Sequence, residues 1–499
     1  MDNFNATTMS RVPTLISLNQ LADYSPLDEM EGASPPRVEA NLVHAMKPCK
    51  STVASITRDA TPCYLFPACR MPNAVPPLSA ERLAASQSEQ QKTMSDSDGE
   101  NDSNSDTQLY GIGEYETESA SGEYASTLGQ SAFDDILLSH WEDRAELGLF
   151  RYDVTECATK VLPGELGFVA QLNEGRALKK RPTEFAIDQV AQPFDPTKFN
   201  FNKAGINEVL FTFGAATGIA TSKYNEIDAT IDGLSADLAV DSPMFDPNLV
   251  LINVSPIEYG HVLLVPSVLS CLEQKLTLPT FRLALEMIRE ADNPDFRIGF
   301  NSLGAFATIN HLHFQAYYLS TDFACERATL SAVTDVTFVP PSPEMNAACP
   351  MESACGGAFE ESDFSSVHIC TLADYPVRGM CFYITSIADI AKLAAVVSSC
   401  CERMHDANIP HNVFVCDRGL RAFVFPQCFA ARQAAGEVPE SVLATGVNPA
   451  VFEISGHLVL KRKEDYDNAD ETWARNILSE VSLDAPTFSR VVSLMLTGK

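Results

Sequence analysis

Three polar residues at alternate positions, His311, His313 and Gln315, interrupt the apolar run from Ile309 to Leu319. Side chains alternate across a strand, so a strand over 309–319 puts all three on one face and turns Leu312, Phe314 and Ala316 into a core. Two imidazoles and an amide in a row are costly to bury without partners, which points to a ligand, a metal ion or a hydrogen-bond network. A metal pair at His311 and His313 needs a third ligand such as His261. Glutamine is a poor zinc ligand, and the 14 cysteines contain no C-x-x-C pair; the nearest spacings are Cys400-Cys401, Cys63/Cys69 and Cys349/Cys355.

A second group is the basic island Arg176, Lys179, Lys180 and Arg181, next to Pro182 within Glu174–Phe185. The formal net charge is −31. In so acidic a chain a Lys-Lys-Arg cluster fits contact with a phosphate or another anionic substrate; a solvated loop is the plainer alternative. His261 and His457 each follow a glycine at the start of an apolar strand and read as structural histidines. Asp417-Arg418-Gly419 reads as a hairpin turn rather than a base reader.

The elements around these groups are legible from periodicity. The folded part begins near Ser131, with Phe133, Ile136, Leu137, Trp141 and Leu147 at helical spacing and Asp134 and Asp135 in the first turn. Strands are expected at Gly167–Gln171, Glu208–Phe213, Leu249–Val254 and, after the turn at Ser255–Gly260, at His261–Val265. An amphipathic helix follows over Val268–Ala291, with Pro279 as a break point. A strand opening at Phe296-Arg297 and a glycine-containing loop then lead into the His-x-His-x-Gln segment. Later come a strand at Gly379–Ile384, a helix at Ile387–His405, a hairpin at His411–Gln427, a strand at Val451–Leu460 and terminal helices. Ile257–Leu264 and Phe452–Leu460 echo each other, each with a carboxylate before a Gly-His that opens an apolar strand. Two similar α+β halves would explain the echo.

Composition bounds the rest. At 499 residues the chain is long enough for two or three domains, and 45% hydrophobic content supports a real core. The mean hydropathy of −0.04 and strand-length apolar runs argue against a membrane protein. The negative charge argues against nucleic acid as a partner. No secretory or transit pattern opens the chain, so the cytoplasm is expected, with nuclear entry left open. Thr93–Gly122 is too polar to offset the entropy of ordering, and its Ser95-Asp96-Ser97-Asp98 cluster could accept phosphorylation. Arg11–Leu18 is an apolar island that could dock on the folded body.

His311-Leu-His-Phe-Gln, with Gly260-His261-Val-Leu-Leu-Val-Pro before it, resembles the histidine-triad (HIT) superfamily, in the nucleotidyltransferase branch where Gln replaces the third His. Asn301–Leu319, Gly148–Tyr152, Gln171–Phe185, Ser255–Pro266 and Val447–Tyr466 are similar to the GDP-L-galactose phosphorylases of ascorbate synthesis in plants and algae. The resemblance runs from about Phe133 to the C-terminus and includes Arg11–Ser17; the acidic tail and the Pro/Gly-rich insert near 338–362 depart from it. It implies an α+β fold of HIT-like antiparallel sheets with helices, which the internal echo divides into two tandem halves; the disordered acidic N-terminal region before them is read from composition alone. The expected division is 1–130 mostly disordered, 131–322 the catalytic half, 323–372 an irregular connection and 373–499 a second half without the motif.

The same resemblance implies His313 as nucleophile, His311 and Gln315 as flanking phosphoryl contacts, and Asn301, Gly304 and Thr308 in a phosphate-binding loop. Lys179, Lys180 and Arg181 are added as substrate contacts, with no cofactor and no metal. The implied partners are a GDP-hexose and inorganic phosphate, and a homodimer is compatible with the pattern. A neutral imidazole can attack the α-phosphorus and displace a sugar phosphate that leaves as a stable anion. Gln315 cannot act as a general acid, and such a leaving group needs none. The alternatives are a GDP-D-glucose phosphorylase, a HIT-type nucleotide hydrolase, and a non-enzymatic nucleotide-binding regulatory protein.

Overall fold

The computed structural model describes residues 62–67, 131–179, 185–186, 188–216, 246–341 and 364–499. Arg11–Leu18, Thr93–Gly122 and most of the Pro/Gly-rich insert lie outside the described residues. Within the N-terminal region expected to be mostly disordered, Cys63–Pro67 forms a strand, β1.

The first half of the folded body contributes α1 (Ala132–Glu146), β2 (Ala158–Val161), β3 (Val169–Leu172), α2 (Glu174–Lys179), β4 (Val209–Ala216), β5 (Leu249–Ile252), β6 (Val262–Val265), α3 (Leu278–Ala291), β7 (Phe296–Asn301) and β8 (Phe314–Tyr318). The second contributes β9 (Thr329–Ala332), β10 (His368–Ala373), β11 (Met380–Tyr383), α4 (Ile390–Asp406), β12 (His411–Cys416) and β13 (Arg421–Pro426). The chain ends with α5 (Phe429–Ala434), α6 (Glu440–Leu443), α7 (Val451–Ser455), β14 (His457–Leu460), α8 (Lys463–Asn468), α9 (Glu471–Ser479) and α10 (Ala485–Thr497).

Eleven of these strands make one sheet, in the order β1-β4-β5-β6-β8-β7-β12-β13-β11-β10-β9. Its connectivity repeats. Three antiparallel strands, a helix and two more strands occur as β4-β5-β6-α3-β7-β8 and again as β9-β10-β11-α4-β12-β13. The two sets join where β7 and β12 run antiparallel, with Asn301 opposite Asn412 and Ile298 opposite Val415. The architecture is therefore α+β with two topologically matching halves.

Central strands read as continuous apolar runs because both faces are covered. Every residue of β5, β6, β12 and β13 is buried. On one face lie α1, α3, α4 and α10, through Trp141, Phe281, Val397 and Met495. The other face meets α7, α9 and a small sheet of β14, β3 and β2, through Phe452, Leu478, Val169 and Leu458. In α1, Phe133, Leu137 and Trp141 are buried, whereas Ile136 and Leu147, expected on the same face, are exposed.

Four expectations need correction. Pro279 opens α3 instead of breaking a longer helix: it sits in the first turn, where no backbone donor is lost, and Val268–Ser270 forms a separate short turn. The stretch 323–372 is not simply irregular, because β9 and β10 pair antiparallel within it. Val451–Leu460 is not one strand. Gly456, at φ 119°, ends α7 in a left-handed cap before β14 starts. That break also disposes of the echo: β14 pairs with β3 in the small sheet, and the true counterpart of β6 is β11.

Where β12 turns into β13, four charges are buried together. Arg297 Nε lies 3.1 Å from Glu326 Oε1, Arg421 Nη2 3.7 Å from Glu326 Oε2, and Arg421 Nε 2.6 Å from Asp417 Oδ2. Glu326 is the nearest carboxylate to Arg297, whose others, Asp295 and Asp322, stand off at 3.7 and 4.0 Å, so removing Glu326 leaves a buried guanidinium poorly compensated. Glu326→Ala is expected to lower unfolding free energy by about 3 to 5 kcal/mol in urea titrations, the usual cost of breaking a buried pair.

Candidate active site

Strand β8 starts at Phe314, so His311 and His313 lie in the segment leading into it rather than within a strand from 309. Other partners take up their backbone. The Leu312 N–H donates to the Leu272 carbonyl at 2.7 Å, and the His313 N–H to Gln274 Oε1 at 3.0 Å. The alternation survives this change: Leu312, Phe314 and Ala316 are buried in the helix-covered core, while Phe201 packs on the histidines, with ring centroids 5.4 Å from His311 and 5.1 Å from His313.

Backbone groups fix both imidazole tautomers. His313 Nδ1 lies 2.8 Å from the His311 carbonyl oxygen, which can only accept, so the proton is on Nδ1 and the lone pair on Nε2. Burial pulls its pKa down to about 4, against the pull of that carbonyl, so the ring is neutral at pH 7. His311 is the reverse. The Phe201 N–H donates to its Nδ1 at 3.1 Å, so Nε2 carries the proton, buried and without a well-formed hydrogen bond. Burial and then the neighbouring His313 lower its pKa to about 4, with the Val268 carbonyl acting the other way. The result is a lone pair that needs no deprotonation beside an N–H with no strong acceptor of its own. Such a pair suits attack on phosphorus with a donor nearby for a phosphoryl oxygen.

Gln274, buried and not anticipated from the sequence, ties the segment to the sheet. Its Nε2 donates to the Asn301 carbonyl at 2.9 Å and the His313 carbonyl at 3.1 Å, while its own N–H donates to Asn310 Oδ1 at 2.9 Å. Asn301 is buried at the end of β7, and its Oδ1 accepts from Asn412 Nδ2 at 2.6 Å and the Val451 N–H at 2.8 Å. It therefore joins both half-sheets to α7, a framework role beside the one expected of it. Gly304, at φ 76°, occupies the left-handed region in the loop after β7, and Thr308 is half-buried in the same loop. Gln315 is half-buried, with Oε1 3.2 Å from His261 Nε2.

The basic island is only partly described. Lys179 is the last residue of α2, while Lys180 and Arg181 lie outside the described residues. Arg176 turns to the 255–257 loop, where Nη1 donates to the Ser255 carbonyl at 2.6 Å. Among the described residues one group, Glu326, Cys416 and Asp417, brings metal-type ligand atoms together, and Arg297 and Arg421 already pair with its carboxylates. No described helix is long and apolar enough to cross a membrane.

Two family models match the chain: GDPGP1-like, N-terminal domain, over residues 132–317, and GDPGP1-like, C-terminal domain, over 351–498. The chain belongs to the GDPGP1-like family. It is 48% identical over 362 residues to GDP-L-galactose phosphorylase 2 of Arabidopsis thaliana, covering 72% of this chain and 75% of that protein. It is 34% identical over 370 residues to GDP-D-glucose phosphorylase 1 of Homo sapiens, covering 71% and 81%. The yeast Ap4A phosphorylase Apa2 structure matches at TM-score 0.42 and 13% identity, covering 71% of this chain and 95% of that one. The GDPGP1-like N-terminal match ends at Tyr317, just beyond His311, His313 and Gln315.

Two outcomes follow from this geometry. Gln274→Leu keeps the volume and loses every side-chain hydrogen bond to the histidine segment; turnover is expected to fall at least about tenfold, since misplacing a reacting group by about 1 Å costs on the order of a hundredfold. Steady-state kinetics, with circular dichroism as the folding control, checks it. The pKa values of His405 and His411 are also lowered by burial to about 4, and that of His457 to about 3. The native state then binds fewer protons than the unfolded chain below the usual histidine range. Stability is expected to be full above about pH 6.5, the ordinary histidine pKa, and to fall steadily from there toward about pH 4, read as Tm against pH.

Proposed function

We propose that this chain is a GDP-hexose phosphorylase that converts GDP-L-galactose and inorganic phosphate to L-galactose 1-phosphate and GDP, the committing step of L-ascorbate synthesis. The observation that carries the reading is the fixed tautomer of His313, with Nδ1 on the His311 carbonyl and a lone pair on Nε2. The higher identity to the Arabidopsis GDP-L-galactose phosphorylases, 48% against 34% for the human GDP-D-glucose phosphorylase, favours the L-galactose substrate.

His313 Nε2 attacks the α-phosphorus of the GDP-hexose. The N–P bond forms as the bond to the bridging oxygen breaks, and hexose 1-phosphate leaves with that electron pair. An oxygen of inorganic phosphate then attacks the guanylyl-histidine, the N–P bond breaks, GDP leaves, and the imidazole regains its lone pair. His311 Nε2–H and the Gln315 amide bind the phosphoryl oxygens whose charge grows during each displacement. The loop with Gly304 and Thr308, held by Asn301, cradles the phosphates, and Lys179, Lys180 and Arg181 contact the anionic substrate. The half with the His-x-His-x-Gln motif, 131–322, carries the chemistry, and 373–499 completes the sheet behind it. The enzyme works in the cytoplasm, with the nucleus a second compartment, and its partners are small molecules and a second copy of itself.

Two in-line displacements require ping-pong kinetics and retention at phosphorus. With GDP-L-galactose and no phosphate, mass spectrometry should find one GMP added at His313. His313→Asn should lose the adduct and at least about a thousandfold in kcat, in keeping with loss of a nucleophile. Wild-type turnover by that variant would refute the mechanism. The ratio of kcat/KM for GDP-L-galactose and GDP-D-glucose, each with and without phosphate, separates the proposed phosphorylase from its D-glucose and hydrolytic alternatives.

A further inference from the structure

The loop from Ser255 to Gly260 is gripped at three successive carbonyls. Arg176 Nη1 donates to Ser255 O at 2.6 Å, Tyr152 Oη to Pro256 O at 2.7 Å, and Gln171 Nε2 to Ile257 O at 2.7 Å. All three donors come from β3, α2 or the chain leading to them. The loop delivers His261, which is fully buried. The Ile257 N–H donates to His261 Nδ1 at 2.8 Å, and a backbone N–H cannot accept, so the proton of the neutral ring is on Nε2. Two groups lie 3.2 Å from that nitrogen, Asn253 Nδ2 and Gln315 Oε1. Asn253 presents its amide nitrogen there because its Oδ1 accepts from the Ser255 N–H at 3.0 Å. A nitrogen that carries only donors cannot take the proton, which leaves Gln315 Oε1 as the acceptor.

We infer that His261 is a positioning residue: it holds the Gln315 amide by its oxygen, so that the NH2 group faces the phosphoryl group on His313. The inference rests on the phosphorolysis reading above. Burial and the nearby Arg176 charge keep the ring neutral, so the hydrogen-bond polarity does not change with pH in the neutral range. An amide turned the other way would aim its oxygen at phosphoryl oxygens and repel them. The histidine supplies what glutamine lacks by itself, a fixed choice between two nearly isosteric ends. The small sheet, through Gln171, and α2, through Arg176, thus reach the reacting phosphorus by way of His261.

The test is a double-mutant cycle on phosphate-dependent GDP formation from GDP-L-galactose. His261→Asn keeps an acceptor near the Ile257 N–H but cannot reach Gln315. It is expected to lower kcat about tenfold or more with KM changed less than about threefold, because the donor acts on charge that grows in the transition state. The double variant with Gln315→Ala should be no slower than Gln315→Ala alone. Losses that simply multiply, or a rise confined to KM, would overturn the inference. Gln315→Glu gives an answer even where His261→Asn does not fold. It keeps the acceptor for His261 and removes the donor, so Tm should hold while kcat falls about a hundredfold, the usual cost of one such donor. Near wild-type kcat in Gln315→Glu would overturn the assignment of the amide. A wild-type protein without phosphorolysis would overturn the reaction itself, a separate and earlier failure.

Discussion

Backbone groups that touch ring nitrogens decide what each histidine of the site can do. A carbonyl oxygen beside His313 Nδ1 forces a proton onto that nitrogen, and an N–H beside His311 Nδ1 forces one off it. The two rings sit two residues apart in one segment, yet one offers a lone pair and the other a donor. Side-chain identity alone permits either arrangement, because neutral imidazole has two tautomers of similar energy. Burial then keeps both rings neutral, so the assignment holds across neutral pH.

That arrangement needs the segment held firmly against its surroundings, and side-chain amides do much of the holding. Gln274 clamps the His313 backbone to the end of β7, and Asn301 and Asn412 lock β7 to β12 and to α7. Asparagine and glutamine suit this work because each can donate and accept at once without a charge to desolvate. Gly299 serves the same junction by its small size: a Cβ there would lie 2.5 Å from Val451 Cγ1, so only glycine lets α7 approach β7 this closely.

The repeated topology makes the difference between the halves visible. After β7 the chain makes a long loop through Gly304 and returns as the histidine segment. After β12 it turns back at once through Asp417-Arg418-Gly419, as the sequence led one to expect. The space near that turn is filled by Arg297, Glu326, Asp417 and Arg421, whose charges neutralise one another. One fold thus supports a loop leading to two histidines of opposite polarity after β7 and, after β12, a tight turn closed over an ion cluster that Arg297 of β7 joins.

The sequence by itself determined the α+β class and the order of most strands and helices, and it singled out His311, His313 and Gln315 as candidates for phosphoryl chemistry. Those signals are local: period-two and helical spacing, a glycine loop and a His-x-His-x-Gln pattern survive in any window of the chain. It misplaced Val451–Leu460 and the start of β8, because a left-handed Gly456 and the side chain of Gln274 override propensity there. Only the tertiary structure decided which nitrogen of each histidine is protonated, that His261 meets Gln315, and that Arg176 grips the 255–257 loop. Each depends on groups far apart in sequence, such as Phe201 with His311 or Gln274 with His313, and no spacing rule reports a hydrogen bond across that separation.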